Sequence, residues 1–273
     1  MNLSLKLKTA LAVLALAPAL SWALVGGEGL LDTPHDFATN GAGTAAGGGT
    51  GAGNGISAAS TPVGLCTFCH TPHKAQTSQL LWNHTLSANN FSWDATNTTA
   101  GTLFPTFAGG TYKGPTAKCL SCHDGSVAIG DIAWFGESSH QGAGNALVPE
   151  VMPIGEFLIT KVQGGGDLSG NHPVAMPFPA NNTASTYNGV TTGAGAILTD
   201  WQPNPTLTSN IRLFTDPGTG SISAGVTTGK TGIECSSCHD PHNKQSVDDL
   251  FLRGKLVGST QADGYICLQC HTK

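Results

Sequence analysis

The chain has 273 residues, of which only 11% are charged, and its formal net charge is −5. It lacks the basic stripe that a phosphate backbone demands, which excludes nucleic acid as a partner. With 37 Gly and 15 Pro, it brings little apolar surface per ordered residue, so its buried surface has to come from something besides a conventional core.

At the start, Lys6 and Lys8 precede the apolar run from Ala10 to Leu20, and Ser21-Trp22-Ala23 places small residues at the −3 and −1 positions of a cleavage site. Residues 1–23 therefore read as a secretory signal peptide, shorter than the ~20 apolar residues a bilayer span needs. Export follows as the expectation: a secreted protein, as an extracellular filament or at the cell surface, with the periplasm as the alternative. Residues 24–60 read as an N-terminal arm. It carries His35 in "TPHDF" and then the Gly/Ala/Thr linker from Asn40 to Gly55. Residues 61–273 read as one body.

All eight cysteines of that body fall into four copies of one pattern. These are Cys66-Thr-Phe-Cys69-His70, Cys119-Leu-Ser-Cys122-His123, Cys235-Ser-Ser-Cys238-His239 and Cys267-Leu-Gln-Cys270-His271. C-x-x-C-H is the attachment pattern of c-type haem: two thiols add across the vinyl groups and the next residue coordinates iron from one face. Disulfides, redox dithiols and zinc sites also use C-x-x-C, but none of them requires histidine after the second cysteine. With 10 His in the chain, four such placements by chance have odds on the order of one in a million, which decides for haem. Four covalently attached haem c groups are expected, and four large apolar macrocycles also supply the missing core.

Between the motifs the sequence predicts helical turns from Cys119 to Ile129 and from Cys235 onward, including "SVDDLFLRGK" (Ser246 to Lys255). Short strands and turns are expected across 143–230, with "EFLITKV" (Glu156 to Val162) the best strand candidate. The motifs begin at residues 66, 119, 235 and 267, spacings too unequal for a solenoid. "GGGDLSG" lacks the lysine of a phosphate-binding loop. The fold class expected is a multihaem cytochrome c of mostly irregular coil, with short helices, few short strands and stacked haems as the core.

Each iron needs a second axial ligand or an open position. Beyond His70, His123, His239 and His271, the candidates are His35, His73, His84, His140, His172 and His242. After the leader only Met152 and Met176 remain, so the histidine surplus favours bis-histidine iron, suited to passing electrons rather than binding substrate. His73 and His242 sit in matched turns, "CHTPHK" and "CHDPHN". A second histidine three residues after the first cannot reach the far side of the same iron, so each is expected to reach a neighbouring haem. His84 beside Trp82 reads equally as a packing residue, and His140 as a loop residue.

The segments "HDF", "CTFCHTPH", "LLWNH", "CLSCHDG", "NHPV", "CSSCHDPH" and the closing "CLQCHTK" resemble the paired-CxxCH multihaem c-type cytochrome family. In number and order of motifs, the resemblance is to its tetrahaem outer-surface members, which polymerise into filaments. It implies bis-His haems in a continuous chain and extracellular electron transfer. It also implies His35, His73, His172 and His242 as distal ligands, with His84 in reserve. Polymerisation points to head-to-tail copies of the same chain as partner, with His35 donated from its arm to a haem of the adjacent subunit, besides other redox proteins or external acceptors. A monomeric periplasmic shuttle is the alternative. A multihaem reductase would need a five-coordinate iron, which the spare histidines argue against, so no catalytic residues are expected.

Overall fold

The computed structural model describes residues 29–30, 33, 35–37, 64–77, 79–93, 112, 114–142, 144–182, 201–205, 210–218, 221–244, 251–254 and 266–272. The signal peptide, the Gly-rich linker and most of "SVDDLFLRGK" lie outside them.

Regular structure is sparse. Helix α1 (Pro115–His123) starts on a proline in its first turn, where the missing N–H is not needed. It ends at His123, and Asp124 closes it with its N–H on the Leu120 carbonyl. The helix expected to reach Ile129 is thus shorter. Asp124 explains why: its buried carboxylate accepts from Ser87, from Asn89 at 2.9 Å and from the Ser126 N–H at 2.8 Å, which turns the chain away. Helix α2 (Cys235–Cys238) is a single turn that packs on α1.

Strands β1 (Ile132–Phe135) and β2 (Ser138–His140) form a hairpin. Strands β3 (Met176–Pro177), β4 (Phe214–Thr215), β5 (Ser223–Ala224) and β6 (Thr231–Ile233) form an antiparallel sheet in the order β3-β6-β4-β5. The sheet runs directly into α2 and so sets the position of the third motif.

Two expected elements differ. Glu156 to Val162 is a loop, not a strand. Its backbone is spent on individual contacts: Ile159 N–H donates to the His123 carbonyl at 3.0 Å and Lys161 N–H to Asp167 at 3.0 Å. Of the second predicted helix, residues 251–254 are extended and irregular, because Arg253 N–H donates to the Cys238 carbonyl and Asp240 N–H to that of Phe251. Tertiary pairing overrides local helical preference in both places.

Apolar packing divides into three small clusters. Phe68, Ile129, Ile132, Leu147, Val148 and Met152 gather beside Cys69 and Cys122. Tyr112, Leu120, Leu168, Ala175, Phe214 and Ile222 form the second, and Phe178, Ala180 and Leu213 the third, which reaches Cys270. The mostly coil architecture with few short helices and strands agrees with the fold class read from the sequence.

Candidate haem sites

All four C-x-x-C-H segments fold into the same single turn. The histidine N–H donates to the first cysteine's carbonyl at 2.8 Å in His70, 3.0 Å in His239 and 2.9 Å in His271, and the second motif ends α1. An i to i+4 turn of this kind carries both thiols and the imidazole on neighbouring positions of one face.

Three of the thiols sit in surroundings that favour the protonated form. Burial pushes Cys69, Cys122 and Cys270 up to about 12, with nearby cysteines adding to Cys69 and Cys270 and Asp124 to Cys122. Such thiols hold their protons, whereas reactive or zinc-binding cysteines sit in surroundings that favour the thiolate. Among the described residues, which include every cysteine, all eight are free.

Successive motifs meet through their cysteines. Cys122 acts on Cys69, Cys119 hydrogen-bonds Cys235, and Cys238 lies beside Cys267 and Cys270. The four attachment turns therefore follow one another in space in their sequence order. Cys66 and Cys267, in the first and last turns, are the exposed members of the series.

Three histidines of these turns face a second imidazole. The ring centroids of His70 and His242 are 6.1 Å apart with planes inclined by 17°. His123 and His35 are 6.1 Å apart at 54°, and His271 and His172 are 6.4 Å apart at 57°. Two metal–nitrogen bonds of about 2 Å plus two ring half-widths come to about 6.3 Å, a separation that these pairs match. One ring of each pair is held by a carbonyl. His70 Nδ1 bonds the Leu80 carbonyl at 2.7 Å, His123 Nδ1 that of Phe157 at 2.7 Å, and His172 Nδ1 that of Pro173 at 2.8 Å. A carbonyl on Nδ1 fixes the tautomer that leaves Nε2 as a lone-pair donor. Burial, reinforced by His123, lowers His35 to about 4, which keeps its imidazole neutral.

The spare histidines behave differently. His84 is buried with Nδ1 on the Thr85 carbonyl at 2.7 Å and Nε2 on that of Ala128 at 2.9 Å. His140 has Nδ1 on Asn145 and Nε2 beside the Phe135 carbonyl, each at 3.2 Å. Burial keeps the His84 ring neutral, so only one of its nitrogens can donate to these carbonyls, and its Nε2 also lies 3.5 Å from Cys122 Sγ. His73 and His239 are exposed, and among the described residues His73 faces no second imidazole. His35, expected to serve a neighbouring subunit, lies against the His123 of its own chain.

Supporting residues include several that sequence reading passed over. Leu80 and Leu81 adopt left-handed backbone (φ 62 and 50), which aims their carbonyls at His70 Nδ1 and the Thr71 N–H. Trp82 meets the His70 ring edge-on at 6.0 Å, and Trp201 lies 4.4 Å from His271. Arg253, fully buried, donates through Nε to the Ser236 and His239 carbonyls and pairs with Asp240 at 3.2 Å. The tryptophan in "LLWNH" carried a legible signal; Trp201, Phe157 and Arg253 lie far from any cysteine motif in sequence and had none.

A family model described as a doubled CXXCH motif matches residues 226–273. The last two attachment turns are a paired CXXCH unit. That match supports a multihaem c-type cytochrome, with covalently bound haem c and electron transfer as its business. No curated protein matches the chain.

Proposed function

We propose that the chain is a tetrahaem electron conduit whose iron atoms are held by paired histidines. The observation that carries this reading is the set of three imidazole pairs at 6.1, 6.1 and 6.4 Å, each joining an attachment histidine to one from elsewhere in the chain. His242 serves the site of Cys66 and Cys69, His35 that of Cys119 and Cys122, and His172 that of Cys267 and Cys270. His73 completes the site of Cys235, Cys238 and His239 as the remaining candidate. When bound, haem iron supplies a one-electron Fe(III)/Fe(II) couple. The chain's part is to fill both axial positions, which leaves no place for substrate and keeps the function electron transfer. It also holds the four sites in series.

Export and head-to-tail assembly of copies into an extracellular filament extend the same reading. It is supported by the exposed cysteines at the two ends of the series, Cys66 and Cys267, where electrons would enter and leave. The pairing of His35 with His123, 6.1 Å apart within one chain, can equally be made by the arm of an adjacent copy across such a joint. An open heterologous contact of this type propagates into fibres rather than closed rings. Haem counting by the pyridine haemochrome assay, with negative-stain microscopy of the secreted protein, tests both levels. Four low-spin haems and filaments are expected; a high-spin ferric fraction would defeat the paired-ligand reading, and uniform single particles at all concentrations would defeat the filament.

A further inference from the structure

Between α1 and α2 sits a carboxylate that the electron-conduit reading does not use. Glu234 is fully buried immediately before Cys235. Its Oε2 accepts the Tyr112 hydroxyl, the Thr116 N–H at 3.1 Å and the Thr116 hydroxyl at 2.5 Å. Glu234 also caps α2: the Ser237 N–H faces its carboxylate and donates to its main-chain carbonyl at 2.8 Å, while the Glu234 N–H donates to Ser237 Oγ at 2.9 Å. Glu234 Oε1 is buried and meets no donor among the described residues.

The location matters as much as the chemistry. Thr116 Oγ1, bonded to the carboxylate, also accepts the Cys235 N–H at 3.1 Å, and Cys119 and Cys235 touch one another. Glu234 therefore stands where the second and third attachment turns meet. The titratable groups facing it are Tyr112 from the segment before α1, Lys118 and Cys119 on α1, and Cys235 on α2. Once haem is attached both cysteines are thioethers, which leaves the phenol and the buried ammonium.

We propose that Glu234 is a redox-linked proton-binding site, taking up one proton when an electron enters the neighbouring iron sites and releasing it when the electron leaves. The inference rests on the haem reading of Cys119–His123 and Cys235–His239. The balance is simple. One electron from a donor redox protein reduces Fe(III) to Fe(II), and one proton from solvent joins the carboxylate at Oε1, so the added negative charge is neutralised in a dry site. Oxidation by the next acceptor reverses both. A buried carboxylate with one oxygen that meets no protein donor among the described residues is suited to this because the protein compensates its charged form incompletely. Burial lifts it from 4.5 to about 7, within reach of ordinary pH.

The sign follows directly. Rising pH leaves a negative charge beside these irons, which favours Fe(III), so their midpoint potentials fall. The test is a spectroelectrochemical titration of the full four-haem protein at several pH values on either side of about 7. Part of the wild-type redox curve is expected to move to lower potential as pH rises, and Glu234→Gln to abolish that movement with the low-spin spectrum unchanged. Tyr112→Phe, which removes one donor to the carboxylate, is expected to displace the sloping window to higher pH, and carries the test if the glutamine variant does not fold. A pH-independent wild type, a slope that survives Glu234→Gln, or an unmoved window in Tyr112→Phe overturns the proposal. A haemochrome count below four, measured beforehand, instead sinks the underlying reading.

Discussion

His242 faces His70 across 6.1 Å, not the His239 that precedes it by three residues in its own turn. The proline-fixed second histidine of "CHDPHN" thus points into a different attachment site. Replacing it should open one iron only. His242→Ala is expected to keep four haems by haemochrome count while a high-spin ferric signal worth one haem appears in the visible and EPR spectra. His84→Ala serves as the control: it takes the donor from one buried carbonyl, that of Thr85 or Ala128, costing about 1–3 kcal/mol, without any change of spin state. A high-spin signal from His84→Ala would reassign the ligands.

The three pairs differ in the angle between their rings, 17° for His70 and His242 against 54° and 57° for the others. Ring orientation splits the iron d orbitals: near-parallel imidazoles give a rhombic low-spin EPR signal and strongly inclined ones a signal with a large maximum g value. The ferric protein should therefore show both kinds. His242→Ala should remove the rhombic component, while His172→Ala should spare it.

His242 is oriented at one remove by a buried charge pair. Asp240 takes Arg253 at 3.2 Å and also accepts the His242 N–H at 3.2 Å and the Lys244 N–H at 3.0 Å. Removing one partner strands the other in a dry site, at a cost of about 3–5 kcal/mol. Arg253→Met should lower the thermal midpoint and also raise the same high-spin signal as His242→Ala. Arg253→Lys, which keeps the charge but not the fork onto the Ser236 and His239 carbonyls, should recover the spectrum only in part.

How much of this was legible in the sequence varies with the range of the interaction. The C-x-x-C-H turn is local: five residues contain its thiols, its imidazole and the hydrogen bond that closes it, so its spacing told the whole story. The coil-rich fold followed from the same motifs together with the Gly and Pro content. Glu156 to Val162 resembles a strand because Phe, Ile, Thr and Val favour one, whereas its N–H groups go to His123 and Asp167 rather than to a ladder. Arg253 falls in a segment that the sequence predicts as helical; only the folded chain brings it under the third motif. The partner of His35 depended on where an arm returns, which no local pattern encodes.

Glu234 also governs how stability changes with pH. Its folded value, about 7, lies above the ordinary 4.5, so the native chain holds a proton that the unfolded chain has released in between. Its favourable contribution is complete below about 4.5 and is lost as pH rises through about 7. Guanidinium unfolding midpoints should fall across that window, by an amount worth a few kcal/mol at most, about 1.4 kcal/mol for each unit of displacement. Glu234→Gln should flatten the dependence; an unaltered pH profile would show that another group controls it.

The ends of the series offer the last test. Leu80 and Leu81 stand 58% and 47% exposed beside the first attachment turn, and Leu268 is 45% exposed within the last. Apolar side chains left open at both ends suit contact with another copy, end against end, whereas a charge there would have to be desolvated on association. Leu268→Asp keeps both thiols and the histidine of its turn, so four haems by haemochrome count and an unchanged low-spin spectrum are expected. On the proposed head-to-tail assembly, it should convert filaments into single particles in the microscope and a broad sedimentation profile into one slow species. Filaments of unchanged length in Leu268→Asp would place the joint between copies elsewhere on the surface.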